Sequence, residues 1–118
     1  MTDASEQRTI VILVTRDGMG SAPNELQHIL GSKYFQLLLI DEKPPDAICF
    51  YANGVKLVCE GSPVIEHLRA LQDKGTRLIV CQTCLDFLGL TDHVQIGIIG
   101  GMTDIIEAQW RADKVITL

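Results

Sequence analysis

The run Ile10-Val11-Ile12-Leu13-Val14 is apolar at every position and largely β-branched, and it stops at Thr15-Arg16-Asp17-Gly18. A strand with one face in water alternates apolar and polar residues. A run without alternation fits a strand buried on both faces, the environment of a parallel sheet. Similar runs recur at Asp46 to Ala52, closed by Asn53-Gly54, at Thr76 to Val80, and at Val94 to Ile99, closed by Gly100-Gly101; Lys114-Val115-Ile116 makes a terminal strand. Between them apolar residues fall at helical spacing. Leu26, Ile29, Leu30, Tyr34, Leu37 and Leu38 stripe a first helix that Pro44-Pro45 stops. Val64, Ile65, Leu68 and Leu71 stripe a second, with Ser62 as N-cap, Pro63 at the first helical position and Gly75 at the end. Asp86 to Leu90 fits a short third helix, and Met102, Ile105, Ile106 and Trp110 stripe a fourth, with Trp110 as core or as a subunit contact. Val55 to Cys59 alternates weakly and reads as a short extended piece. Strand and helix alternating in this way predict an α/β domain whose parallel sheet is covered on both faces.

The chain has 118 residues, enough for one domain, and 47% hydrophobic residues supply a core. One domain is expected over residues 9–118, behind a loose tail at residues 1–8. A net charge of −5 argues against a nucleic-acid surface, and scattered Lys and Arg argue against a membrane surface. The polar opening Met1 to Arg8 has no apolar signal core, and no stretch approaches the ~20 residues of a membrane span. The expectation is a cytoplasmic protein with reduced thiols.

Ligands of open parallel sheets bind beyond the carboxyl ends of the strands. Four such ends are Thr15 to Ser21, Asn53-Gly54, Cys81 to Cys84 and Gly100 to Thr103. Asp17, Gly18, Asn53, Gly54, Gly101 and Met102 are therefore candidate substrate contacts, together with Cys59, which falls in a loop beside Glu60. Cys49, between Ile48 and Phe50 in mid-strand, reads as core. The pair in "CQTCLDFLGL", residues 81–90, is different: Cys81 ends a strand and Cys84 lies at the start of a helix, where unpaired amide N–H groups favour thiolate. The position is expected to be exposed and activating, with Lys56 and Arg16 on neighbouring loops as further sources of positive charge.

Several chemistries fit poorly. Zinc needs four ligands, and there is no second CxxC; His28 and His67 lie off the buried stripes, and His93 alone completes no set. No proline follows Pro63 to serve a thioredoxin-like site. Gly18-Met19-Gly20 meets Pro23 where a dinucleotide fingerprint requires glycine, and no phosphate-loop lysine or hydrolase triad is present. Asp17 and Asp104 fit solvated caps better than catalytic groups. The reading calls for no metal and no cofactor.

"VCQTCLDFLGL" resembles the VCxTCxDxxGL segment of the DsrE/DsrF-like family of sulfur-relay proteins. "NGVKLVCEGSPVIEHL" at 53–68, "GIIGGMTDIIEAQWRADKVI" at 97–116 and the opening "VILVTRDGMGSAPNELQHILGSKYF" extend the similarity over nearly the whole chain, closest to the DsrE-like domain of YedF-type proteins. The resemblance implies a three-layer α/β/α domain with a five-stranded, mainly parallel sheet, flavodoxin-like in general appearance. It implies a homo-oligomer, a trimer or hexamer before a dimer, and sulfur carried as a cysteine persulfide and exchanged with a small TusA-like carrier. Counted back from Gly89, it makes Cys81 the carrier and Cys84 the second cysteine of some branches. YedF-type proteins open with a TusA-like domain that this sequence lacks, so the carrier is expected to be a separate protein. Two other readings stay open: a non-catalytic module that binds a small ligand, and an assembly subunit. A further expectation is that Phe35 and Leu39, outside the stripe of the first helix, leave an apolar surface for a second copy.

Overall fold

A computed structural model of the protein describes residues 8–118. The expected tail at residues 1–8 lies, apart from Arg8, outside the described residues. Elements follow in the order β1 (Ile10–Val14), α1 (Asn24–Leu38), β2 (Ala47–Phe50), a 3-10 segment (Ala52–Val58), α2 (Ile65–Asp73), β3 (Arg77–Cys81), α3 (Gln82–Leu88), a 3-10 turn (Thr91–His93), β4 (Ile98–Gly100), α4 (Met102–Arg111) and β5 (Lys114–Thr117). The five strands form one sheet in the order β4-β3-β2-β1-β5. Every pairing is parallel, with Val11 beside Ala47, Ile48 beside Leu78, Cys81 beside Gly100 and Ile10 beside Lys114. Val11 to Val14, all of β2 and Leu78 to Cys81 are buried at consecutive positions, which point to opposite faces. Both faces of the central strands are therefore covered. The chain runs from β1 through β2 and β3 to β4 in one direction and then back across the sheet to β5. With the right-handed crossovers that parallel connections adopt, α4 falls on the face opposite the other helices.

The helix count and the strand centres agree with the sequence reading; phases and boundaries depart from it. On α1 the buried side is Gly31 and Phe35, while Leu26, Ile29, Leu30 and Leu37 face outward. Apolar residues occupy more than one side of the helix, so periodicity alone does not choose its inward face, and Phe35, expected to leave apolar surface, is core at 1% exposure. The inward side is the one that meets the loop after β1: Gly31 packs beside Gly18, where a Cβ would stand in ordinary contact at 3.6 Å from the Gly18 Cα, and Phe35, one turn on, enters the core. Ser62 does not cap α2; its Oγ accepts the Val64 N–H in a turn that precedes the helix. The weakly alternating piece is the 3-10 segment, not a strand. The third helix starts four residues before the expected Asp86, directly on β3, and ends at Gly89 with φ of +70°. β4 is only its last part, because Gly97 at φ +96° breaks the run; Val94 keeps one antiparallel bridge, to Cys59. On α4, Ile105 and Ala108 are buried, and Trp110 is 84% exposed, so it is not core.

Candidate functional site

The carboxyl ends of β1, β2 and β3 meet along one edge, as parallel pairing requires, and the 3-10 segment crosses it. That segment is pinned to β1. The Tyr51 N–H donates to the Val14 carbonyl (3.1 Å), and the Gly54 N–H to the Tyr51 carbonyl (3.0 Å). Gly54 sits so close beneath β1 that a Cβ there would fall 2.1 Å from the Val14 oxygen. Only glycine fits. The expected substrate contact Gly54 is therefore a seat for the backbone and not a lining residue.

On one side of the segment lies an apolar depression of about 300 Å³, lined by Ala52, Asn53, Thr83, Cys84, Phe87 and Leu88. Cys84 is the one described cysteine with surface; Cys49, Cys59 and Cys81 are buried. The expected exposure of Cys81 is overturned: it is 0% exposed. Cys81 closes β3 beside Gly100 and also serves as the residue before α3, so its side chain stays beneath the first turn of that helix. Cys84, three residues on, emerges one turn higher.

The Cys84 Sγ accepts the Ala52 N–H at 3.1 Å. Burial pushes the Cys84 thiol above its ordinary range, a side-chain hydrogen bond with the Cys81 thiol adds to that push, and the Ala52 N–H works against it. The activation expected from the helix start is thus outweighed by desolvation. Neither expected cation helps. The Arg16 guanidinium turns to the Gly20 carbonyl (2.7 Å), and Lys56 lines a different depression.

That second depression, about 370 Å³, lies across the 3-10 segment and is lined by Asp17, His28, Lys56, Cys59, Glu60 and Ser62 over a floor that includes Leu57 and Leu90. Asp17 stands 3.6 Å from His28 Nε2, and Glu60 3.9 Å from His93 Nδ1. The Cys59 thiol donates to the Val55 carbonyl (3.2 Å), and burial pushes its pKa up. The candidate residues therefore divide. Asn53 joins Cys84; Asp17 and Cys59 share the polar depression. Gly18 is buried against Gln27, where a Cβ would come within 2.7 Å of the Gln27 Cβ. Gly101 opens α4, its N–H donating to Asp104 Oδ2 (2.9 Å), and Gly101 and Met102 line neither depression. Sequence reasoning missed Thr83, Phe87, Leu88 and Ala52. Phe87 was readable as the residue one helical turn beyond Cys84; nothing in the sequence marks Ala52. Among the described residues, no group of three or more His, Cys, Asp or Glu is arranged to hold a metal ion.

Residues 10–118 match the DsrE/DsrF-like family. The chain belongs to that family. Solved structures with the same fold include the ychN protein from E. coli, with TM-score 0.72 and 20% identity over 94% of this chain and 99% of that one. The protein of unknown function MTH1491 from Methanobacterium thermoautotrophicum gives TM-score 0.68 at 18% identity, over 94% and 99% of the two chains. The conserved protein of unknown function BT1422 from Bacteroides thetaiotaomicron gives 0.65 at 16%, over 99% and 100%. At these identities the likeness establishes the fold alone. Among curated proteins, none matches this sequence. The DsrE/DsrF-like assignment brings a sulfur-relay type of function to a chain whose described residues include no helix long and apolar enough to cross a membrane.

Proposed function

We propose that this DsrE/DsrF-like chain relays sulfur as a persulfide on Cys84, with Cys81 beneath it as supporting thiol, in the reducing cytoplasm. The observation that supports this most is the partition of the thiols: Cys84 alone has surface, at the strand-end edge of the sheet and in its own depression. In the loading step the Cys84 thiolate attacks the outer sulfur of a donor persulfide, R–S–SH. The donor S–S bond breaks, the donor leaves as the thiolate R–S⁻, and Cys84 becomes Cys84–S–SH. Unloading reverses the roles, an acceptor thiolate taking the outer sulfur. No external oxidant is consumed. Ala52, Phe87 and Leu88 give the sulfane sulfur an apolar but open surround, with Phe87 89% exposed. A TusA-like protein supplies the donor or acceptor cysteine in this reading. Copies of the chain associate through outward-facing Leu26, Ile29, Leu30 and Leu37 of α1, which monomers rarely leave uncovered; light scattering reads the mass.

The test is intact-protein mass spectrometry after incubation with a sulfane-sulfur donor. Wild type gains sulfur, Cys84→Ser does not, and Cys81→Ser still loads at first contact. Equal loading of wild type and Cys84→Ser sinks the proposal. A second reading, a small-ligand module, is favoured by the polar depression at Asp17, His28 and Lys56. A ligand retained by the purified protein and lost in Lys56→Ala supports it instead.

A further inference from the structure

Ala52 is the one non-glycine residue with positive φ (51°) among the described residues. An L-residue there pays roughly 1–2 kcal/mol, because Cβ approaches the following carbonyl oxygen. Such a conformation persists only where the surroundings over-determine it. Here they do. The Tyr51 N–H is fixed to the Val14 carbonyl on one side, and Gly54 is wedged under the same carbonyl on the other. The chain must reverse in the two residues between, and it does so by placing Ala52 in the left-handed region. The result of that turn is a backbone N–H directed away from the 3-10 segment and onto the Cys84 Sγ, at 3.1 Å.

We propose that Ala52 is a positioning residue whose strained backbone holds its N–H on the Cys84 sulfur and stabilises negative charge wherever that sulfur carries it. A backbone donor suits this role: its place is set by the fold, and it needs no reorganisation when charge appears. In the relay reading, on which this part rests, charge appears on the Cys84 Sγ twice. It is the attacking thiolate during loading. During unloading an acceptor thiolate forms a bond to the outer sulfur, the Cys84–S–S bond breaks, and its electron pair returns to the Cys84 Sγ beneath the Ala52 N–H. A better-stabilised leaving thiolate leaves faster. The effect on the free thiol does not depend on sulfur transfer at all.

The decisive variant replaces Ala52 by lactic acid in a synthetic chain, so that an ester stands where the N–H was and the methyl group stays. The readout is the rate of Cys84 alkylation by iodoacetamide as a function of pH, followed on its own peptide. Loss of a charge-assisted hydrogen bond moves the midpoint up by about one pH unit and lowers the rate near neutrality by about tenfold. Ala52→Gly keeps the N–H and relieves the strain, and its midpoint stays near that of wild type. An ester chain of unchanged circular dichroism with an unshifted profile overturns the proposal. Should the ester chain not fold, nitrogen-labelled wild type decides: the Ala52 amide resonance moves with pH at the Cys84 midpoint and stops moving in Cys84→Ser. A resonance flat through that titration overturns the proposal equally. A shifted profile in a protein that takes up no sulfane sulfur removes the relay reading and leaves this inference standing.

Discussion

The two depressions beside the 3-10 segment are close in size, about 300 and 370 Å³, and opposite in chemistry. One surrounds a single sulfur with Ala52, Phe87 and Leu88; the other gathers Asp17, His28, Lys56 and Glu60. In the polar one each carboxylate already faces an imidazole, and the Cys59 thiol is spent on the Val55 carbonyl. In the apolar one the sulfur is met by one backbone donor and has surface besides. A buried thiol whose partner is supplied within the fold, as that of Cys59 is, stays inert. A group whose desolvation is only half compensated keeps free energy that a reaction can release.

The sharpest way to break this contrast is to ask both sides for a reactive thiol. Iodoacetamide should modify Cys84 in the folded protein at least a hundredfold faster than Cys59, because Cys59 must await local opening. Because burial holds the Cys84 thiol above its usual range, its rate–pH profile should be displaced to higher pH than that of an unburied thiol. Peptide mapping after short exposure checks both; comparable rates would erase the distinction.

A second route is to remove the wall between the two sites. Gly54→Ala drives a methyl group into the Val14 carbonyl, so the segment must shift away from β1. The expected cost is about 3 kcal/mol, read from urea unfolding, with the Cys84 alkylation profile disturbed in the same variant.

Cys49, at 0% exposure in mid-sheet, supplies a control for what full burial does to a thiol. Burial pushes its pKa from 9.0 to about 11, with the Arg77 charge opposing. Below about pH 9 the thiol is protonated in the folded and unfolded states alike. Above that the unfolded chain releases its proton while the folded one holds it, so stability falls as pH rises from about 9 to about 11, by roughly 2–3 kcal/mol. Cys49→Ala should flatten most of that slope in denaturant titrations at successive pH values.

The smallest effect belongs to the polar side. Asp17→Asn should change stability by less than about 1 kcal/mol and leave Cys84 alkylation untouched, since the Asp17–His28 pair is largely solvated. A large change in either measurement would join the two depressions into one site.

Much of this was legible in the residues. Unbroken apolar runs identified the central strands, because a strand buried on both faces has no other sequence. The reading failed where a choice depended on contacts distant in the chain. Leu26, Ile29 and Leu30 are as apolar as Phe35, and which of them turns inward depends on the packing of α1 against the loop after β1 and the core. Val94 to Ile99 looks like one strand until Gly97 takes a left-handed φ. The cysteine pair was expected at a strand end and a helix start, and it lies there; the exposure of each thiol was not legible. The sequence reading put Cys84 at the start of the helix and still left Cys81 exposed at the end of its strand. With the helix starting at Gln82, Cys81 is roofed over and Cys84 receives the surface. Ala52 was beyond reach, since its conformation is imposed by its neighbours and not by its own preference.

No residue intervenes between β3, which closes at Cys81, and α3, which opens at Gln82. A loop at that junction would act as a swivel, and cargo on a swivel is carried to whoever waits. Here the sulfur rides on the first turn of a helix welded to a sheet, about 5 Å of helix rise beyond the strand's last residue. It has no arm. In the relay proposed above, whatever delivers or collects an atom at Cys84 would have to bring its own mobility, so the flexible half of the handover would belong to the visitor, with this chain as the quay.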